Sequence, residues 1–196
     1  MSAKPMANLQ KLTTGIAGFD LIAHGGLPKG RSTVVAGSAG SGKTVLAIQF
    51  LVTGIREFGQ SGVLVTFEET PADLIENVYS LGWDLAQLVK ENKLAIVDAT
   101  PDPGKEVIQA GSFDLSALLA RIESAIRKVQ ASRVILDTIG AIFPQFAEAT
   151  TVRRELHRIH VGLRQLGVTT LVTLERTEEE GGIGVSGQGG VYRRIR

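Results

Sequence analysis

Hydrophobic residues fall in short dense blocks separated by longer amphipathic stretches, and this alternation runs through most of the chain. Ser32 to Gly37 (STVVAG) is a compact β-branched run closed by glycine, which predicts a buried strand. From Lys43 to about Phe58 the apolar residues Val45, Leu46, Ile48, Phe50, Leu51, Val52 and Ile55 surround most of a helix, which is therefore expected to be largely buried. The alternation continues with a strand at Val63 to Phe67, a helix near Pro71 to Leu81, a strand at Leu94 to Val97, a helix from Asp114 to Val129 and a strand at Val134 to Leu136. A last long helix, about Thr151 to Leu166, carries Val152, Leu156, Ile159, Leu163 and Leu166 at steps of four and three, and a strand from Thr169 to Leu174 follows. Strands that alternate with helices imply parallel pairing, since each strand returns to the sheet through a helix packed on its face. The expected fold class is α/β, a mostly parallel sheet with helices on both faces.

Composition narrows the function classes. The chain has 196 residues, 43% hydrophobic and 21% charged, the balance of one ordinary globular domain. Lysine and arginine number 21 against 20 acidic residues, so there is no long-range field to draw in a nucleic-acid backbone. With no cysteine, disulfides, thiolate metal sites and a cysteine nucleophile are excluded. The leader MSAKPMANLQKL lacks the apolar core of a signal peptide, and no apolar run reaches the roughly 18 residues that span a bilayer. The reading is a cytoplasmic protein with no membrane partner. Three segments are expected: a flexible leader over 1–11, a globular domain over 12–177, and a mobile tail over 178–196, where six of the ten residues from Gly181 to Gly190 are glycine.

Candidate chemistry concentrates at the first strand-to-helix corner. Gly37, Ser38, Ala39, Gly40, Ser41, Gly42, Lys43 and Thr44 match G-x-x-x-x-G-K-[ST] between a predicted strand and a predicted helix. Glycines there let successive N–H groups converge on one anion, and the helix that follows adds its positive end. A phosphate ligand is expected, with Lys43 on the β- and γ-phosphates and the Thr44 hydroxyl on an octahedral magnesium. Val134 to Asp137 (VILD) is a hydrophobic strand ending in an acid, so Asp137 is the second metal-side candidate, acting directly or through water. Phe67-Glu68-Glu69-Thr70 sets two carboxylates at the end of the second strand, the edge where open parallel sheets place ligands. Either Glu68 or Glu69 could accept the proton of an attacking water. The competing explanation is dipole compensation, because Thr70-Pro71-Ala72-Asp73 reads as a helix start.

The segment GIAGFDLIAHGGLPKGRSTVVAGSAGSGKT, from Gly15 to Thr44, resembles the RecA-like P-loop ATPases of the RadA and KaiC branch. VTFEETPADLIENVYSLGWDLAQLV, DATPDP, GSFDLSALLARIESAI and TTVRRELHRIHVGLRQLGVTTLVTLER narrow the resemblance to the KaiC family of circadian clock ATPases, in its first ATPase domain, over roughly Leu12 to Arg176. The resemblance implies a hexameric ring that holds ATP with magnesium between subunits and hydrolyses it slowly. It assigns Lys43 and Thr44 to the phosphate loop, Glu68 and Glu69 to the catalytic glutamates, and Asp137 to the acid at the metal. It further implies a KaiB-like partner at about Pro101 to Leu118, a loop that departs from the family in sequence and is one residue longer.

In the family, strands beyond this point carry a lysine and an arginine that reach the neighbour's ATP site, and this sequence is expected to stop before them. Loss of such trans cations is worth about 10³ to 10⁵ in rate in related systems. The second ATPase domain, with its autophosphorylation sites, is also expected to be missing, and with it autokinase function. The tail GGIGVSGQGGVYRRIR reads as a truncation or a slipped reading frame, because glycine and arginine come readily from GC-rich codons. Two alternatives to a turning-over ATPase follow: a catalytically impaired nucleotide-binding interaction module, or a RecA-like recombination ATPase.

Other features carry less. Arg153, Arg154, Arg158 and Arg164 give the long helix a basic face, read as solvated or subunit-facing rather than DNA-binding. His24, His157 and His160 lack metal-ligand spacing, and Trp83 reads as a core anchor. Glu175 and Arg176 end the last strand at the ligand edge, where they either sense nucleotide or cap the strand by ion pairing.

Overall fold

The computed structural model describes residues 9–100, 115–145 and 148–176. The expected KaiB-like contact region falls mostly outside these residues, as do most of the leader and all of the 178–196 tail. The chain enters through β1 (Lys11–Leu12), which pairs antiparallel with β2 (Leu27–Pro28) around α1 (Ala17–Ile22). Asp20 ties this entrance together. Its Oδ1 accepts from the Thr14 amide at 2.9 Å and the Thr14 hydroxyl at 2.7 Å, while its Oδ2 accepts from the Gly15 amide at 2.9 Å.

Five parallel strands follow: β3 (Ser32–Gly37), β4 (Gly62–Thr66), β5 (Leu94–Asp98), β6 (Arg133–Asp137) and β7 (Thr169–Glu175), in the spatial order β3-β7-β6-β4-β5. The helices are α2 (Lys43–Phe58), α3 (Pro71–Tyr79), α4 (Leu85–Lys90), α5 (Leu115–Val129) and α6 (Ala149–Gln165), and a 3-10 turn spans Ile139–Gln145. Side chains alternate across a strand, so β4 sends Val63 and Val65 to one face and Leu64 to the other. The first face is covered by α5 and α6, the second by α2, α3 and α4. All five expected strands and the four expected helices are present, in a parallel α/β sheet with helices on both faces. Among the described residues no helix is long and apolar enough to cross a membrane.

The strand order positions the site. β4 and β6 are neighbours, yet the chain leaves β4 toward α3 on one face and leaves β6 toward α6 on the other. Where connections diverge in this way, the C-terminal ends of the two strands flank a crevice, which is where open α/β sheets bind ligands.

β6 differs from expectation in an instructive way. The apolar run Val134 to Leu136 and the acid that ends it, Asp137, lie in the strand as expected, but so does Arg133 before them, and all five positions are buried. Arg133 is fully buried: Nε donates to Gln60 Oε1 at 2.8 Å, Nη1 to the Phe50 carbonyl at 2.8 Å and Nη2 to the Thr13 carbonyl at 2.7 Å. Its guanidinium carbon stacks 4.5 Å from the Phe50 ring centre and 5.4 Å from that of Phe58. Gly54 makes room for it on α2, since a Cβ there would meet Arg133 Nε at 2.3 Å.

Candidate functional site

Residues 37–44 form the connection from β3 to α2. Gly40 and Gly42 take positive φ of 70° and 81°, which side chains disfavour, and Gly42 is the residue at which α2 begins. The loop folds back on its own base: a Cβ on Gly37 would lie 2.6 Å from Ser41 Oγ and 3.7 Å from Lys43 Cδ. Ser38 to Gly42 are exposed, and Lys43 Nζ donates to the Ser38 carbonyl at 2.7 Å. A glycine-bearing loop at a helix start with an ammonium group beside it is an arrangement that can hold an anion.

The strands beside the loop bring acidic groups to the same edge. Gly37 at the end of β3 pairs with Glu175 on β7, and the Arg176 amide donates to the Gly37 carbonyl at 3.0 Å. Asp137 ends β6, is only 5% exposed, and its carbonyl accepts from the Phe67 amide at 2.9 Å. That bond fixes the chain just before Glu68 to the Asp137 strand. Glu68 and Glu69 lead into α3, where Thr70 caps the helix by accepting from the Asp73 amide at 3.2 Å, with Pro71 in the first turn. The helix start read from the sequence is therefore present.

The two glutamates are placed differently. Glu69 Oε2 accepts from Asn77 Nδ2 at 2.9 Å, and its carbonyl accepts from the Thr66 hydroxyl at 2.5 Å. Glu68 has no such tether among the described residues. Partial burial pushes its carboxyl above the usual range, helped by the negative charges of Glu175, Asp137 and Glu69 and opposed by Lys43. Lys43 at the end of the loop and Asp137 at the end of β6 thus both act on the Glu68 carboxyl. The elevation carries a sign for stability: the fold favours protonated Glu68, so its contribution is fully present below the ordinary carboxylate pKa and is lost as pH rises through the elevated one. Glu68→Gln is expected to melt at a higher temperature than the parent at neutral pH, and the gap should close as pH falls into the carboxylate range. Thermal melts across that range check it.

Thr44 stands in the first turn of α2 and Asp137 at the end of β6, and each carries an oxygen donor. Among the described residues no group of three or more His, Asp or Glu could hold a metal by itself. Two hard oxygen donors beside a phosphate cradle fit magnesium, which keeps several waters and takes its other ligands from phosphate. The donor set is thus compatible with that ion.

Remaining expectations resolve simply. Trp83 is half-buried against the α2 side of the core. His24 and His157 are exposed, and His160 Nδ1 sits 3.1 Å from Ser32 Oγ. On α6, Glu155 pairs with Arg154 at 3.1 Å and with Arg158 at 2.7 Å, so part of the basic face is neutralised locally. The sequence reading missed Thr173, a buried hydroxyl on Asp137, and Asn77, whose distance from Glu69 in sequence gave no signal.

Comparison with known proteins agrees with this geometry. The sequence model of the family described as "ATPase: KaiC" matches residues 12–189, running past Arg176. The circadian clock oscillator protein KaiC of Synechococcus elongatus is 56% identical over 176 residues, covering 89% of this chain and 34% of that protein. KaiC 1 of Synechocystis sp. is 53% identical over 180 residues, 91% of this chain and 34% of that one. KaiC of Thermostichus vulcanus is 53% identical over 176 residues, again 34% of its length. This chain therefore spans about a third of the length of these curated relatives. Identity above one half is sustained across about nine-tenths of the residues, and the family model matches most of them: the chain belongs to the KaiC ATPase family.

Proposed function

We propose that residues 12–177 are an ATPase domain of KaiC type that binds ATP with magnesium and hydrolyses it. The observation that carries this reading is the convergence, at one sheet edge, of the Gly37–Thr44 loop from β3, Asp137 from β6 and Glu68 after β4. In it, the amides of Gly37, Ser38, Ala39, Gly40, Ser41 and Gly42 wrap the phosphates and Lys43 neutralises the β- and γ-phosphates. Thr44 and Asp137 hold magnesium, directly or through its waters; when bound, the ion offsets charge on the phosphate oxygens. Glu68 orients a water and takes its proton as the oxygen attacks the γ-phosphorus and the bond to the β–γ bridging oxygen breaks, giving ADP and phosphate. Glu69 holds the turn that presents Glu68.

Assembly belongs to the same proposal. A homohexameric ring with ATP between subunits and a KaiB-like partner near Pro101–Leu118 rest on family membership, supported by an α6 face still exposed at Arg153, Arg154 and Arg158. Light scattering with and without ATP measures the ring. A DNA-binding role is disfavoured by the net charge of +1 and by the Glu155 pairs.

The deciding measurement is calorimetry with magnesium-ATP beside a phosphate-release assay. Binding should be present in the parent protein and weaker by about ten- to a hundredfold in Lys43→Ala, the scale of a lost charge-assisted hydrogen bond. A folded parent protein that gives no heat overturns the proposal. Binding without phosphate release leaves a nucleotide-binding interaction module instead.

A further inference from the structure

β7 buries three threonines whose hydroxyls fare differently. Thr169 Oγ1 accepts from the Gly30 amide at 2.9 Å, and Thr170 Oγ1 has no partner. Thr173, with none of its surface exposed, donates its hydroxyl to Asp137 Oδ1 in a short contact. The Leu136 carbonyl and Thr138 Oγ1 each lie 3.4 Å from Thr173 Oγ1, well beyond the Asp137 contact, so the single proton belongs to the carboxylate. Thr138 Oγ1 is also 3.4 Å from Asp137 Oδ1. Both hydroxyls therefore gather on one oxygen, and among the described residues no donor is placed on Oδ2.

This arrangement needs a reason, because a valine would fill the same volume in β7 without desolvating a hydroxyl. Asp137 provides it. A carboxylate that is 5% exposed and has no cationic partner within ion-pairing distance among the described residues can rotate about its last bond unless something fixes it. Groups that orient a metal-side carboxylate from behind decide which oxygen is offered forward, and losing one typically costs about 10- to 100-fold in metal affinity.

We propose that Thr173 is a positioning residue: by occupying Asp137 Oδ1 it holds the carboxylate so that Oδ2 is the oxygen offered to magnesium or to a magnesium-bound water. The inference rests on the magnesium-nucleotide reading of the site and deepens it.

The test measures how much magnesium strengthens ADP binding, as the ratio of dissociation constants in EDTA and in excess magnesium, in the full chain. Thr173→Val should reduce that ratio by about tenfold or more while leaving affinity in EDTA unchanged. Thr173→Ser, which keeps the donor, should restore it. Thr170→Val removes the partnerless hydroxyl from the same strand and should leave the ratio untouched. Should Thr173→Val fail to fold, Thr173→Cys, similar in size and a weak donor, carries the same expectation. A folded Thr173→Val with the parent ratio overturns the role of Thr173 and leaves the site reading standing. A parent protein that binds ADP equally well with and without magnesium overturns both.

Discussion

Glu68→Gln is expected to slow ATP turnover by about 10²- to 10⁴-fold and to leave the affinity for magnesium-ATP within a few-fold of the parent protein, whereas Glu69→Gln should slow it by less than about tenfold on the same general-base scale. The two residues are adjacent and chemically identical, so the difference lies entirely in what surrounds them. Glu69 is already engaged by Asn77 on α3, and its carbonyl is held by Thr66 at the end of β4. Glu68 feels Glu175 at the end of β7, Asp137 at the end of β6 and Lys43 at the start of α2. A base must reach the proton it removes, and a carboxylate whose proton affinity is raised removes protons more effectively near neutral pH. Glutamine keeps the size of Glu68 and its hydrogen-bonding capacity but cannot take a proton, so the loss should fall on the rate of hydrolysis rather than on binding. Single-turnover phosphate release beside equilibrium binding separates the two. Equal losses for both variants, or a greater loss at Glu69, would reverse the assignment.

The other large effect is on stability. Arg133→Ala should cost about 3–5 kcal/mol of unfolding free energy in chemical denaturation, from three unmatched oxygen acceptors plus the space vacated between α2 and the sheet. Burial lowers the Arg133 guanidinium to about 10, with Asp20 opposing the shift, so the group stays charged at neutral pH. Three neutral oxygens and two aromatic faces hold it in place of a carboxylate. Lysine cannot imitate that fork, since one ammonium replaces three nitrogens fixed in a plane. Arg133→Lys should therefore recover only a minor part of the loss. Arg133→Met, which fills the space without restoring the hydrogen bonds, should lie between alanine and the parent. An alanine variant within about 1 kcal/mol of the parent, the size of one ordinary hydrogen bond, would mean that the clamp contributes little.

The same residue shows where sequence reading reached its limit. β-branched blocks located β3, β4, β5 and β7 within a residue or two, although β3, expected to be buried, is an edge strand with no buried residue, because an apolar run does not say which strand ends the sheet. At β6 the flanking Arg133 and Asp137 looked like strand boundaries, yet both are inside, one answered by carbonyls and the other by Thr173. Polar burial of that kind depends on partners up to 120 residues away and leaves no local pattern. α1 was invisible because it is six residues long and buries none of them fully. α4 escaped because six residues are too few to show a period. The place of the Gly37–Thr44 segment between β3 and α2 was legible, since its motif lies in consecutive residues between two predicted elements. The different engagement of Glu68 and Glu69 was not, because the partner of Glu69, Asn77, lies in the next helix.

β3 stands at the margin of the sheet. The Arg31 and Gly37 carbonyls accept from β7, so the intervening Ser32, Val34 and Ala36 turn their amide groups the opposite way, where no described strand lies, and Val34 remains 49% exposed. Left bare, such a border invites self-association as the protein is concentrated. Occupied by an extended peptide, it would brace the stem of the nucleotide loop from behind, so that an event along this rim could tighten or relax the hold on phosphate without any contact with the ligand.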